Sequence, residues 1–170
     1  MTGRATFHRR MAHRSMVMIV LVAATATACT TASPRMVGTG DAVADRQRLM
    51  KVQGAQWAET QAKFKAGNIE GIAVNAEVLA ITSLQIPPLF PEGSLTDKSK
   101  AKPEIWQRWG EFEAASKNMT IWSERLRDAA KAKNDKVVGD TMKDFGRVAC
   151  GSCHTPFRVP PPAVPPPPQR

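Results

Sequence analysis

Residues 103–129 read PEIWQRWGEFEAASKNMTIWSERLRDA and carry the clearest pattern in the chain. Apolar side chains return after 4, 3, 3, 4, 3, 4 and 3 residues, which is close to the heptad seam of packed helices. The members of this seam are Ile105, Trp109, Phe112, Ala115, Met119, Trp122, Leu126 and Ala129. Pro103 stands at a position favoured in the first turn of a helix. The stretch therefore predicts a long helix that begins at Pro103 and buries one face.

Three further helices are predicted around this one. In order, they are Asp41–Ala66, a segment from Asn68 to Pro87-Pro88, and a segment from Asn134-Asp135 into Cys150. Gly67 and the two prolines end the first two helices, and a loop over 89–101 leads to the third. No alternating β-branched pattern competes with these helices. The predicted fold class is therefore all-α, an antiparallel four-helix bundle over residues 41–158.

The N-terminus predicts an export signal. Residues 1–15 are basic, and residues 16–28 form an uncharged run that is too short to span a membrane comfortably. The run ends in Ala26-Thr27-Ala28, the small-x-small pattern that precedes cleavage. We therefore expect a signal peptide over 1–28 and a periplasmic location. Cys29 follows directly, and two alternatives stay open: a lipidated cysteine that tethers the protein to a membrane, or an ordinary cleavage site.

Two segments of biased composition flank the bundle. Residues 29–40 are small and polar and predict a flexible tether, while residues 159–170 contain seven prolines and predict an extended or disordered tail. The net charge is +9, and removing the four arginines of residues 1–29 leaves +5. No basic run is interleaved with aromatics, so we expect no nucleic-acid partner. Solubility and attraction of an acidic partner both remain open as reasons for the basic balance.

Cys150-Gly151-Ser152-Cys153-His154 is the motif that carries chemistry. Two thiols three residues apart on a helical turn can add to the two vinyl groups on one edge of a haem. The adjacent histidine is then held under the ring, where an imidazole nitrogen binds the iron. The spacing predicts one haem c, attached covalently through Cys150 and Cys153, with His154 as an iron ligand.

Three other uses of these cysteines fit the sequence less well. A thioredoxin-like site is expected near a βαβ pattern, which this chain lacks. A structural zinc site needs four ligands, and the mature chain offers only Cys150, Cys153, His154 and Cys29. A plain disulfide gives no role to His154.

The position of this motif, at the end of the fourth helix of a bundle, resembles the class II cytochromes c, the cytochrome c′ family. The resemblance covers roughly residues 41–158. Its landmarks are Arg46-Gln47, Lys102-Pro103-Glu104-Ile105-Trp106, Phe145-Gly146 and Arg158. Pro156 and the proline-rich tail depart from the family pattern. The resemblance implies that Arg158 lies near the haem on the side of His154.

The family has two branches that differ at the distal side of the iron. In one, an apolar residue blocks a five-coordinate iron that binds gases; in the other, a methionine is the sixth ligand. The distal position is four residues after the arginine of the first helix, which is Met50 here. Arg46, Met50 and Gly54 share one helix face, so that Arg46 can meet a propionate, Met50 can bind iron and Gly54 leaves space for the ring. A core methionine is the alternative.

We therefore expect single-electron transfer through iron ligated by His154 and Met50, with redox proteins as unidentified partners. The alternative is a five-coordinate protein that binds nitric oxide. No distal histidine can act as an acid or base, so we expect no enzymatic activity such as that of a peroxidase. Met119 and Met142 are expected in the core and Met36 in the tether, whereas Trp106 and Phe90 suit either the haem wall or the core. A homodimer stays open.

Overall fold

A computed structural model describes residues 39–162. Its α-helices are α1 (Ala42–Lys65), α2 (Ile72–Ser83), α3 (Glu104–Gln107), α4 (Trp109–Lys131), α5 (Asp135–Phe145) and α6 (Gly151–Phe157). A 3₁₀ turn (Pro87–Leu89) follows α2, and a π-helical turn (Gly146–Cys150) joins α5 to α6. Several predictions lie outside the described residues. They concern the signal peptide, Cys29, the tether up to residue 38 with Met36, and the tail from residue 163 onward.

Four helical rods confirm the all-α bundle. They are α1, α2, α4 and a C-terminal rod that consists of α5, the π-helical turn and α6. The most extensive contacts between rods run from α1 to α2, from α2 to α4, and from α4 to the C-terminal rod. Between residues 39 and 162 there is no β-strand, and one isolated antiparallel bridge joins Ala101 to Arg158.

The ends of α1 follow from local chemistry. The Asp41 carboxylate accepts hydrogen bonds from the backbone N–H groups of Val43 and Ala44, at 2.9 and 3.0 Å, and so caps the first turn. After Lys65 the chain turns at Gly67, whose φ of +71° is readily adopted only by glycine. The bounds predicted for this helix are therefore confirmed within one residue at each end.

Many of the buried side chains of α2 and α4 are small. Ala73, Ala76, Ala80 and Ser83 of α2 are buried, as are Ser116, Thr120 and Ser123 of α4. The Ser83 and Thr120 hydroxyl groups are 2.6 Å apart, and the Ser116 hydroxyl donates to the Ser83 carbonyl at 2.9 Å. Small side chains let the two helix backbones approach closely, and the hydrogen bonds satisfy the polar atoms buried there.

The third predicted helix is divided in two. The seam is buried except at Trp109 and Trp122, which are partly buried. Arg108 has φ −124° and ψ 45°, which separates α3 from α4. The Arg108 carbonyl accepts from the N–H groups of Glu111 and Phe112, so it starts α4 anew. The second helix begins later than predicted, at Ile72, because turns occupy residues 68–71. The fourth does not end at Cys150 but continues through the π-helical turn to Phe157.

Candidate haem site

A cavity of about 600 Å³ lies between α1, the C-terminal rod and the loop after α2. The two predicted attachment residues, Cys150 and Cys153, line it together with His154. The predicted residues Arg46, Met50, Gly54 and Arg158 line it as well. Much of the remaining wall is apolar, with Leu79, Ile86, Ile105, Phe112, Met119 and Phe157 among its members. The structure thus brings seven of the eight predicted site residues to one cavity.

The π-helical turn sets the direction in which the motif points. The N–H of Gly151 donates to the carbonyl of Gly146, five residues back, instead of the usual four. The wider turn frees carbonyls, and neighbours satisfy them: Asn118 of α4 donates to Val148 O at 2.8 Å, and Ser152 Oγ donates to Ala149 O at 2.9 Å. These bonds hold the start of the motif against α4.

Both motif thiols are free and partly buried at the cavity wall. Burial raises the pKa of the Cys150 thiol. Burial also raises the pKa of Cys153, to about 11, with a smaller opposing effect from a hydrogen bond to Ser152 and a further rise from Cys150. Both groups are therefore protonated thiols at neutral pH, and they would hold a haem through thioether bonds to its vinyl groups.

His154 is exposed at the cavity surface, but the surrounding protein partly removes it from water. This burial lowers the pKa of His154. The positive charge of Arg158 lowers that pKa further. Both effects favour the neutral imidazole, which is the form that binds a metal. Pro156 lies in the last turn of α6, where the helix ends one residue later, so this departure from the family pattern leaves the motif helical.

The predicted distal face is formed by α1. Met50 is half-buried and lines the cavity, and Gly54 lies one turn further along the same face. A Cβ built on Gly54 would meet no protein atom within 4 Å, so the space beside it belongs to the cavity. Met119 of α4 is buried as predicted, but it lines the cavity too. Met142 is half-buried against the core and lies outside the cavity lining.

Arg46 is 6% exposed and is engaged by the loop after α2. Its guanidinium donates to the Ser94 carbonyl at 2.6 Å and to Ser94 Oγ at 3.1 Å, and it lies 4.5 Å from the centre of the Phe90 ring. Burial lowers its pKa, and the charge of Asp41 opposes that effect. The sequence predicts that Arg46 contacts a propionate. The structure shows that Arg46 also holds the loop of Phe90 and Ser94 against α1.

Trp106 corrects the predicted site. It is absent from the residues that line the cavity, and its indole N–H donates to the Phe90 carbonyl at 3.1 Å. Phe90, the other aromatic residue considered for the haem wall, does line the cavity and packs edge-on against Phe112, with ring centres 4.8 Å apart. Trp106 therefore supports the wall from behind, a role that its sequence spacing does not reveal.

The residues present fit a haem c. Cys150, Cys153 and His154 line one cavity whose largely apolar walls suit the ring, and basic side chains in the lining suit the propionates. The competing uses fit less well. In residues 39–162 no three His, Cys, Asp or Glu side chains come together as a metal site, and no βαβ unit is formed.

Comparisons with known proteins agree with this geometry. The sequence profile of the family described as cytochrome C′ matches residues 41–158. This chain belongs to the cytochrome c′ family. It is 31% identical to a cytochrome c′ of Pararhodospirillum photometricum over 117 residues, which cover 66% of this chain and 92% of the relative. It is 30% identical to cytochrome c-554 of Cereibacter sphaeroides over 129 residues, which cover 66% and 83%.

The fold is shared as well. The crystal structure of cytochrome c′ from Thermochromatium tepidum superposes with a TM-score of 0.64 at 21% identity, and the match covers 70% of this chain and 95% of that one. Membership of the cytochrome c′ family confirms the predicted cofactor, a covalent haem c. In the part of the chain that the structure describes, no helix is long and apolar enough to cross a membrane.

Proposed function

We propose that this member of the cytochrome c′ family takes up a small neutral gas, such as nitric oxide, at its haem iron. The observation that carries the proposal is the make-up of the cavity, which contains one histidine, His154, and otherwise mainly apolar walls. Variants of cytochrome c′ from Alcaligenes xylosoxidans, 24% identical to this chain, were solved as nitrosyl complexes. That likeness supports the shared fold, and the family membership supports the cofactor.

Haem c would supply an iron that binds a small ligand and exchanges one electron. His154, in its neutral form, would hold that iron. Apolar side chains in the wall, among them Leu79, Ile86 and Phe112, would offer no hydrogen bond to water or to an ion, which favours a neutral diatomic molecule. Arg46 and Arg158 are placed at the cavity to balance the negative charge of the propionates.

Electron transfer with Met50 as the sixth ligand is the second candidate. The observation that favours it is that Met50 lines the same cavity as His154, on the α1 side. A thioether bound to the iron would fill the distal position and raise the potential. The two candidate functions differ in one bond, between the Met50 sulfur and the iron. Neither function involves an enzymatic reaction.

Spectra of three proteins separate these candidates: wild type, Met50→Leu, and Met119→Leu as a matched control from the same cavity. Gas binding predicts a high-spin wild type that binds carbon monoxide readily, with both variants alike because Leu conserves the volume of Met. Electron transfer predicts a low-spin wild type that binds carbon monoxide weakly, and a high-spin Met50→Leu. A low-spin wild type that becomes high-spin only in Met119→Leu would contradict both distal assignments.

Location and assembly belong to the same proposal. We infer export through the signal peptide at residues 1–28, with lipidation of Cys29 decided by the intact mass of protein from a native-like host. A homodimer is supported by apolar side chains on the exposed side of α2, Val74 and Ile81, and by Leu84 just after it. One structural relative is a cytochrome c′ described as having ligand-controlled dimer dissociation. Sedimentation velocity with and without carbon monoxide tests this.

A further inference from the structure

The positive charge of the bundle is concentrated at the cavity. Residues 41–158 contain 18 basic and 15 acidic residues, a net charge of +3. Four of these cations, Arg46, Lys51, Lys100 and Arg158, line the cavity, and no acidic residue among 39–162 does. The other 14 basic and 15 acidic residues leave −1 for the rest of the bundle. All 15 acidic residues of the chain lie within 41–158.

The ion pairs of the bundle lie elsewhere. They connect residues such as Arg127 with Glu77 at 2.9 Å and Lys136 with Asp140 at 2.7 Å. Within residues 39–162 none of the four cavity cations takes part in an ion pair. None of the four charges is therefore neutralised by a direct ion pair, and Asp41 acts on Arg46 only over a longer distance.

The four cations differ in exposure, and this divides their roles. Arg46 is buried and Arg158 is half-buried, whereas Lys51 and Lys100 are exposed. The two propionates of a haem carry about two negative charges, which the two arginines are sufficient to balance. Lys51 and Lys100 then remain as an uncompensated pair. Lys51 follows Met50 on α1, and Lys100 precedes Ala101 in the loop, so they approach the cavity from two different elements.

The loop that carries Lys100 is held in place. The Lys100 carbonyl accepts from the N–H of Val159 at 2.8 Å, and the N–H of Lys102 donates to the Phe157 carbonyl at 2.9 Å. These bonds, with the bridge between Ala101 and Arg158, fasten the loop to the chain just after His154. The position of Lys100 relative to the haem motif is thereby fixed by backbone contacts.

We propose that Lys51 and Lys100 form a docking surface for an acidic redox protein at the mouth of the haem cavity. The inference rests on the proposed function only in requiring haem c there. Both gas binding to ferrous iron and electron transfer need a partner that exchanges one electron with the haem. Opposite charges on the two proteins steer such an encounter and raise its rate. An anionic membrane would meet the same lysines, but it delivers no electron.

The test compares two double variants that change the net charge by the same amount. Lys51→Glu/Lys100→Glu alters the proposed surface. Lys65→Glu/Lys117→Glu is the control, since both lysines are exposed, lie in α1 and α4, and are absent from the cavity lining. Stopped-flow measurements follow reduction of the ferric protein by reduced flavodoxin, an acidic protein. They also follow oxidation of the ferrous protein by anionic hexacyanoferrate(III) and by cationic tris(phenanthroline)cobalt(III), each at low and high salt.

We expect the cavity variant to react at least about tenfold more slowly than wild type with flavodoxin and hexacyanoferrate at low salt, and to react faster with the cobalt complex. The control should stay within about threefold of wild type for all three reagents. A variant with a damaged haem site would instead be slower with all three reagents, the cobalt complex included, and its haem spectrum would change.

Two results would overturn the docking surface. One is an equal fall in the rates of both double variants with flavodoxin and with hexacyanoferrate, which would assign the effect to net charge alone. In the other, wild type binds phosphatidylglycerol vesicles in a salt-sensitive way and the cavity variant does not, while both proteins are reduced by flavodoxin at the same rate. Either result would leave the proposed function intact, since carbon monoxide binding to the wild type is measured separately.

Discussion

The contact between α2 and α4 and the space between α1 and the C-terminal rod are built in opposite ways. Between α2 and α4, small side chains let the backbones approach closely, and hydroxyl groups pair across the contact, as Ser83 and Thr120 do at 2.6 Å. Between α1 and the C-terminal rod lies a cavity of about 600 Å³, and the side chains of Trp57 and Phe145 bridge part of the gap with ring centres 4.6 Å apart.

The difference shows how one bundle combines a closed side with an open one. Protein atoms alone complete the packing between α2 and α4. On the other side, packing is complete only when the haem fills the space beside His154. The haem should therefore raise the free energy of unfolding mainly through its contacts with α1 and the C-terminal rod. The cost of a mutation near the cavity should change when the haem is absent, whereas the cost of one between α2 and α4 should not.

Replacing both Cys150 and Cys153 by alanine should have the largest effect. Without thioether bonds, acid–acetone extraction should remove the colour from the polypeptide. The cavity then has no attached occupant, and we expect the free energy of unfolding to fall by more than about 4 kcal/mol. Cys29→Ala, which removes the third cysteine of the chain, should keep the colour with the polypeptide. Haem that leaves the wild type freely would contradict the covalent attachment.

Phe145→Ala should come next. Phe145 is 0% exposed and stacks on Trp57, which itself lines the cavity. Truncation leaves a hole at the point where the C-terminal rod meets α1, and we expect a cost of about 3–5 kcal/mol, measured by urea unfolding of the haem-loaded protein. Phe64→Ala is the control, because Phe64 is 37% exposed. Equal costs at the two positions would show that the bridge to Trp57 adds nothing.

Ser83→Ala and Thr120→Val test the closed side. Each single change removes the 2.6 Å contact, but the remaining hydroxyl keeps a backbone carbonyl, that of Ala80 for Ser83 or of Ser116 for Thr120. We therefore expect a loss of about 1–1.5 kcal/mol. The double variant should cost less than the sum of the single variants, since both polar groups are then gone. The loss should be similar with and without attached haem. Additive costs would mean that the two hydroxyl groups do not stabilise one another.

Much of this architecture is predictable because helix periodicity and burial agree. The seam from Ile105 to Ala129 identifies the stretch that α3 and α4 occupy from its sequence alone, and the chemistry of the haem motif identifies Cys150, Cys153 and His154 as one site. The break at Arg108 and the π-helical turn at Gly146 leave the apolar spacing unchanged, so periodicity does not detect them.

Long-range contacts of the site are a different problem. Arg46 and Ser94 are 48 residues apart, and nothing in their local sequence indicates that they bond. Lys51 and Lys100 likewise come to one cavity only through the fold. The sequence leaves Trp106 and Phe90 alike, each suiting the haem wall or the core, and only the fold separates them: Phe90 lines the cavity, and Trp106 donates a hydrogen bond to its carbonyl.

Ser94→Ala should lower the free energy of unfolding least. It measures how much the Ser94 hydroxyl contributes to the hold of Arg46 on the loop after α2. The change removes the 3.1 Å bond to Arg46 but keeps the 2.6 Å bond to the Ser94 carbonyl. If Arg46 still fastens the loop in the haem-loaded protein, unfolding should become easier by about 0.5–1.5 kcal/mol, and amide exchange in residues 90–101 should quicken. Gln47→Ala is the control, because Gln47 makes only an exposed 3.4 Å contact with the Lys98 carbonyl of the same loop. If Ser94→Ala and Gln47→Ala behave alike, the Ser94 hydroxyl adds nothing to the hold of Arg46 on the loop in the haem-loaded protein.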